Sequence, residues 1–159
     1  MRFLKIAVVL CVAVLFNAGS AFAQQMPNPY GSNINLAAAK KVAAAAASKA
    51  EEMKLNMVIA VVDTGGRLVY LERADVVQWG SVDVAIHKAT ASVQYKRTTL
   101  AFENAVKSSV HLLTLDGISA IEGGVPLIED GKIIGSIGVS GGTAAQDGQV
   151  AVAGAAVIK

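Results

Sequence analysis

The side chains of this sequence best suited to bind a metal or to move a proton near neutral pH are two histidines, His87 and His111. His87 follows Asp83 by one helical turn, so a hydrogen bond to that carboxylate could orient the imidazole and raise its basicity, as a metal-binding histidine requires. A surface histidine or one in a subunit contact is the alternative for His87, and a packed core or loop histidine is the alternative for His111. Neither residue belongs to an H-x-x-x-H or Cys/His pattern, so the sequence contains no self-contained metal motif.

A second candidate for chemistry is the glycine-rich run at residues 138–142, Gly-Val-Ser-Gly-Gly, which matches the G-x-S-x-G nucleophile elbow. The elbow needs a histidine that follows the serine, whereas both histidines precede Ser140, and the chain is short for a hydrolase sheet. The glycine spacing also differs from the G-x-G-x-x-G dinucleotide fingerprint. A structural turn is therefore the favoured interpretation. One functional alternative stays open, since free amides at residues 141–143, where a helix begins, could hold a carboxylate or a phosphate.

Other catalytic groups are poorly supported by their positions. The acidic pairs Glu51/Glu52 and Glu129/Asp130 fall on a predicted helix end and in a predicted turn, where nothing separates their pKa values as an acid/base pair requires. Cys11 is the only cysteine and lies in the N-terminal apolar segment. The rest of the chain therefore has no thiol for a disulfide, a nucleophile or a metal.

The first 23 residues have the three parts of an export signal. Arg2 and Lys5 form a basic region, the apolar run over residues 6–16 is shorter than the roughly 20 residues of a membrane span, and Ala-Phe-Ala at 21–23 matches a cleavage site. We therefore expect a periplasmic or secreted protein with no membrane insertion after cleavage. Residues 24–34 should form a disordered or strapped-down arm, and residues 35–159 a single domain.

The charge balance argues against nucleic acid as a partner. Without Arg2 and Lys5, 12 of the 14 basic side chains remain against 12 acidic ones, and no basic cluster with interleaved aromatic residues is present. A formally neutral domain in a chain with 53% hydrophobic residues suggests that apolar surface is buried between subunits.

Hydrophobic periodicity predicts an α-ββ-α-α-ββ-α order. The predicted elements are helix 35–54, strands 57–63 and 67–72, helices 81–97 and 98–107, strands 125–129 and 132–139, and helix 143–157, with no element predicted over 108–121. Hairpins interspersed with helices indicate an α+β fold, an antiparallel sheet built from two hairpins and covered on its faces by helices. On helix 81–97 the inward stripe is Val82, Ala85, Ile86, Ala89 and Val93, and the polar stripe is Asp83, His87, Thr90, Gln94 and Arg97.

Several short pieces of the sequence together resemble the GlcG/HbpS family of small haem-binding proteins, from about Leu36 to Ile158. The pieces are Val-Val-Asp-Thr-Gly-Gly at 61–66, Lys-Ala-Thr-Ala at 88–91, Gly-Gly-Val-Pro at 123–126, Asp-Gly at 130–131 with the glycines at 135, 138 and 141, and Gln-Asp at 146–147. The resemblance implies a profilin-like three-layer α/β/α sandwich, symmetric homo-oligomers that are often octamers, and the binding of haem or a related tetrapyrrole. Some members are secreted and sense haem or iron beside a membrane partner.

The resemblance thus leads us to expect an exported, oligomeric haem-binding protein with a possible membrane sensor or transport partner. The expected pocket lies between the polar side of helix 81–97 and the loop at 123–126. His87 is the expected iron ligand, with His111 as the second choice, and Lys88 or Arg97 pairs with the propionates. The expected cofactor-binding residues are His87, Lys88, Thr90, Arg97, His111, Gly123, Gly124 and Pro126.

Two other functions fit the same residues. One is a small-molecule enzyme or a carboxylate-binding accessory factor of a catabolic pathway, with its anion held at residues 141–143. The other is a structural or signalling oligomer that binds no ligand. No residue pattern supports haem degradation, so binding is favoured over catalysis.

Overall fold

Residues 27–159 are described by a computed structural model, which has a four-stranded antiparallel sheet between two layers of helices. The elements are α1 (Leu36–Glu52), β1 (Val58–Asp63), β2 (Leu68–Arg73), α2 (Ser81–Gln94), α3 (Thr99–Val106), a short 3-10 helix (Val110–Thr114), β3 (Gly124–Glu129), β4 (Lys132–Ser140) and α4 (Ala144–Ala155). The predicted order is confirmed, and the 3-10 helix is the element that the sequence did not predict. The expected signal at residues 1–23 lies outside the described residues.

The sheet has the strand order β2-β1-β4-β3 and is built from two hairpins, as predicted. Its two central strands join the hairpins in antiparallel register, from Val58 opposite Ser140 to Asp63 opposite Gly135. The β3–β4 turn has positive φ at both Asp130 (48°) and Gly131 (72°). Asp-Gly is the residue pair that such a hairpin turn favours, because both central positions need left-handed backbone.

The two faces of the sheet bury different helices. Ile59 and Val61 of β1 pack in the core that α1 and α4 cover, whereas Val58, Ala60 and Val62 pack in the clusters formed with α2. This alternation along one strand, with period two, places helices on both faces. The three-layer α/β/α arrangement is therefore confirmed.

Helix α2 lies unusually close to the sheet. A Cβ built on Gly138 would lie 2.0 Å from the Ala85 carbonyl oxygen and 2.5 Å from the Ala89 nitrogen. The Ser136 hydroxyl donates to the Ala89 carbonyl at 2.6 Å from a fully buried position. Small residues on β4 thus allow backbone to approach backbone.

Helices α1, α3 and α4 begin with a side-chain cap, whereas α2 begins without one. Asn35 Oδ1 accepts the Ala38 amide at 2.9 Å, and Thr98 Oγ1 accepts the Ala101 amide at 3.3 Å. Thr143 and Gln146 form a capping box at α4. The C-terminal ends of the helices agree less well with the prediction. Helix α2 ends at Gln94 rather than at residue 97, because Lys96 has a left-handed backbone (φ 54°).

Residues 27–34, the N-terminal strap, lie against the start of β4. The Ile133 amide donates to the Pro29 carbonyl, and the Gly31 amide donates to the Ile133 carbonyl, both at 2.8 Å. The Tyr30 hydroxyl donates to the Val93 carbonyl at 2.8 Å, near the end of α2. Among residues 27–159, no helix is long and apolar enough to cross a membrane.

The close approach of α2 gives a stability prediction. Gly138→Ala should lower the free energy of unfolding by about 3 kcal/mol, because the new Cβ meets rigid backbone rather than a side chain that can move. Urea denaturation would measure it. The control is Gly80→Ala, where a Cβ meets nothing within 4 Å; its change should stay within about 0.5 kcal/mol. Equal stability of the two variants would contradict the packing described here.

Candidate functional site

An ion pair between Lys88 and Asp147 is buried between the helical layers. The Lys88 Nζ lies 2.7 Å from Asp147 Oδ2, and the two side chains are 1% and 4% exposed. Lys88 also donates to the Val139 carbonyl at 3.1 Å, and Asp147 Oδ1 accepts the Gly142 amide at 2.9 Å. Both charges therefore have the additional hydrogen bonds that a buried ion pair requires. Because Lys88 is on α2 and Asp147 on α4, the pair connects the two faces of the sheet.

Two glycines leave the room that this pair needs. A Cβ on Gly123 would lie 2.9 Å from Lys88 Nζ and 2.9 Å from Asp147 Cβ, and the residue has φ +130°. A Cβ on Gly124 would lie 2.3 Å from the Lys88 carbonyl oxygen, and its amide donates to Thr99 Oγ1 at 2.9 Å. The Gly123–Gly124 step is thus a close contact between the chain and α2.

Two further acidic side chains, Glu103 and Glu122, lie near the ion pair. Burial raises the pKa of the Asp147 carboxyl, and hydrogen bonds from Lys88 and from the Gly142 amide oppose that rise. Burial and the neighbouring Glu103 also raise the pKa of Glu122, with Lys88 opposing and Asp147 adding to the rise. The Glu103 carboxylate accepts the backbone amide of Glu122 at 2.8 Å. Glu122 is therefore easier to protonate than an ordinary surface glutamate.

His87 lies exposed on the outer side of α2, as the polar stripe predicted. Within residues 27–159 no hydrogen bond joins it to Asp83, so the expected orienting contact is not formed. Thr90 Oγ1 contacts the Gly66 carbonyl at 3.5 Å, near the first hairpin turn. His111 is exposed on the 3-10 helix.

Arg97 lies past the end of α2 rather than on its polar stripe. Its Nε donates to the Tyr95 carbonyl at 3.2 Å, and its guanidinium lies 5.3 Å from the centre of the Phe102 ring. The side chain is nevertheless exposed and keeps donors for an anion.

The predicted pocket between the polar side of α2 and the loop at 123–126 needs correction. Lys88 is buried and bound to Asp147, so its ammonium does not reach a propionate at the surface. Gly123 and Gly124 face this buried side of α2, whereas His87 is on the exposed side. Pro126 is half-buried in edge strand β3, opposite Ser136. The structure therefore separates the predicted residues into an outer group and a buried structural group.

The anion site expected at residues 141–143 is also wrong in this structure. The Gly142 amide donates to Asp147, and the Thr143 amide donates to Gln146 Oε1 at 2.9 Å. Intramolecular acceptors thus occupy the donors that an anion would need. The Ser140 hydroxyl, in a side chain that is nearly buried, is 3.1 Å from the Ser81 hydroxyl.

Residues 117–123 lie beside α2, and exposed apolar side chains occur within and before this segment. A Cβ on Gly117 would lie 3.0 Å from Gln94 Oε1, and Gly123 contacts Lys88, so residues 117–123 run antiparallel to α2 along its flank. We call the exposed apolar residues in and before this segment the apolar border: Val110, Leu113, Leu115 and Ile121, which are 40–66% exposed. Val84, one turn before His87, is 39% exposed on α2 itself. Large exposed apolar patches mark contact regions, and these residues are the candidates for one.

The chain is similar to proteins of a known family. The family model described as "Haem degrading protein HbpS-like" matches residues 34–156. The chain belongs to this family. An uncharacterized 15.0 kDa protein from the dhaT-dhaS intergenic region of Citrobacter freundii is 39% identical over 119 residues, covering 72% of this chain and 84% of that protein.

Other relatives agree with this HbpS-like assignment. Protein GlcG of Escherichia coli K12 is 38% identical over 103 residues, covering 64% of this chain and 77% of GlcG. The crystal structure of a double mutant of Streptomyces reticuli HbpS superposes with a TM-score of 0.75 at 32% identity, covering 81% of this chain and 89% of that one. The resemblance drawn from the short sequence pieces is confirmed.

The buried ion pair of this HbpS-like chain gives the second prediction. Lys88→Met should lower the free energy of unfolding by about 3–5 kcal/mol, because it leaves the Asp147 carboxylate buried without a counter-charge. Adding Asp147→Asn should recover part of that loss, since the amide keeps an acceptor for Gly142. The control Lys49→Met breaks an exposed pair with Glu52 and should change stability by less than about 1 kcal/mol. Urea denaturation compares the variants. Equal losses for Lys88→Met and Lys49→Met would show that the pair is not structural.

Proposed function

We propose that this protein binds haem. The observation that carries the proposal is the match to a haem-related family over residues 34–156, nearly the whole of the described fold. The three-layer fold shared with HbpS at 32% identity supports it. The proposal is confined to binding, because the geometry of residues 27–159 assigns no side chain a step in breaking the macrocycle.

The residues on the outer side of α2 fit such a group. His87 is exposed, and within residues 27–159 its ring has no hydrogen bond, so an imidazole nitrogen would be available to hold the iron. Val84 offers an apolar contact one turn earlier, and the exposed Arg97 offers a cation for a propionate. When bound, haem would supply an iron that an imidazole could hold and a large apolar ring.

His111 is the second candidate ligand. It is exposed on the 3-10 helix, between Val110 and Leu113 of the apolar border. Its position makes it suitable to complete a site from a neighbouring copy of the chain.

We further propose that the protein is exported and self-associates. The signal-like residues 1–23 and the A-x-A pattern support export. The exposed apolar border and the neutral charge of residues 24–159 support burial between copies. A membrane sensor or transport partner, which the family resemblance implies, stays a prediction.

Haem titration of the purified protein tests the binding proposal. Absorbance should show a saturable Soret shift, and His87→Ala should weaken binding by about tenfold or more and move the band, because the axial ligand is lost. Gln149→Ala, an exposed change on α4 at the other face of the sheet, is the control and should bind as the parent does. A shift that only His111→Ala removes would transfer the ligand role to His111. No saturable shift in the parent protein would refute haem binding.

Mass spectrometry tests export and assembly together. The subunit mass of protein taken from the periplasm or the medium should correspond to a chain that starts at Gln24. The native mass should be a multiple of it, and Leu113→Asp should lower that multiple because a charge then enters the apolar border. Leu36→Asp, an exposed leucine at the start of α1, is the control. An uncleaved chain would contradict export, and a monomer at all concentrations would contradict assembly.

A further inference from the structure

A cavity lies on the face of the sheet opposite to His87, where the end of α1 meets β1 and β2. Its volume is about 450 Å³, and we call it the α1–β2 cavity. Its lining includes Ala47, Ala50, Met57 and Ile59, which belong to the core cluster under α1 or pack against it. A second cavity of about 370 Å³ adjoins it and shares Lys54, Leu55 and Asn56. An apolar floor of this kind can take an aliphatic side chain.

Charged and polar side chains of the lining come from both sides of the cavity. After α1 ends at Glu52, Lys54 has a left-handed backbone (φ 57°) and Leu55 returns to hydrogen-bond the Ala50 carbonyl at 2.9 Å. This tight return brings Glu51, Lys54 and Asn56 into one lining. Glu72 contributes from edge strand β2, where the Tyr70 hydroxyl donates to its Oε2 at 3.3 Å. Two carboxylates, one ammonium and one amide therefore converge on an apolar floor.

These charged side chains form no ion pair within residues 27–159. Among residues 27–159 the ion pairs join Lys49 to Glu52 and Lys88 to Asp147, so within that part of the chain Glu51, Lys54 and Glu72 have no ionic partner. All three side chains are exposed. A ligand can therefore pair with them without breaking an existing ion pair.

We propose that the α1–β2 cavity binds a small zwitterion, namely a free α-amino acid with an aliphatic side chain. The ligand ammonium pairs with Glu72 and Glu51, and its carboxylate pairs with Lys54 and the Asn56 amide. Charge-assisted hydrogen bonds of this kind fix orientation, while the aliphatic chain displaces water from the half-buried Ala47 and Leu55. The site is separate from the proposed haem site, so either can fail without the other.

Calorimetric titration of the purified protein with L-leucine tests this site, because leucine carries both charges and an aliphatic chain. We expect saturable binding with an affinity that does not change with protein concentration. Two matched analogues each lack one charge: 4-methylpentanoate has no ammonium, and 3-methylbutylamine has no carboxylate. Each should bind at least about tenfold more weakly. Equal binding of all three would overturn the zwitterion assignment. No binding of leucine, or an affinity that falls as copies of the chain associate, would overturn the site.

Variants of the lining provide the second measurement. Glu72→Gln and Lys54→Asn should each weaken leucine binding by about tenfold, and asparagine is chosen because it tolerates left-handed backbone. Lys41→Gln, on an exposed part of α1 outside the cavity lining, should bind leucine as the parent does. Thermal melting shows that each variant is folded, and the haem titration should be unchanged in all of them. Undiminished leucine binding by folded Glu72→Gln and Lys54→Asn would refute the proposed contacts.

Discussion

The contact between Lys88 and Asp147 determines how the two helical layers of this protein fit together. An ammonium and a carboxylate withdrawn from water are favourable only when each finds its counter-charge and its remaining hydrogen bonds. Here those partners come from β4 and from the backbone at the start of α4. The chain around the pair therefore has little freedom: glycine is needed at 123, where a side chain would meet both charges. The ion pair thus couples the position of α2 to the conformation of the loop at Gly123 and to the start of β3.

Helix α2 also packs closely, against the backbone of β4. Gly138 and Ser136 on β4 bring the helix down to the strand backbone, so the inner side of α2 is filled by small residues and by Lys88. A cofactor the size of haem has no room on that side. The outer side of α2, where His87 and Val84 are exposed, is not closed by this packing.

The element order, both hairpins, the helix caps and the three layers could be predicted because each depends on residues near one another in sequence. Asn35, Thr98 and Asp130-Gly131 act within three or four residues, and the period of the apolar positions assigns the faces. The site was predicted less well. Lys88, which the family resemblance led us to pair with a propionate, is bound to Asp147 instead. That partner lies 59 residues away, and no local pattern reveals it. Lys88 and Asp147 do fall in two of the short pieces that carry the family resemblance. Their contact brings these two pieces together in the fold.

The N-terminal strap can pack only after β4 has been synthesised, because its partners lie at the start of that strand. Asn28 bonds to the Gly131 carbonyl across 103 residues, and Tyr30 forms a bridge with Ile133. The first described residues are thus among the earliest to leave the ribosome, yet their partners are among the last. Contacts of such long range form slowly, because loop closure must come first. Under the proposed export, late closure of the strap would lengthen the time during which the chain stays incompletely folded.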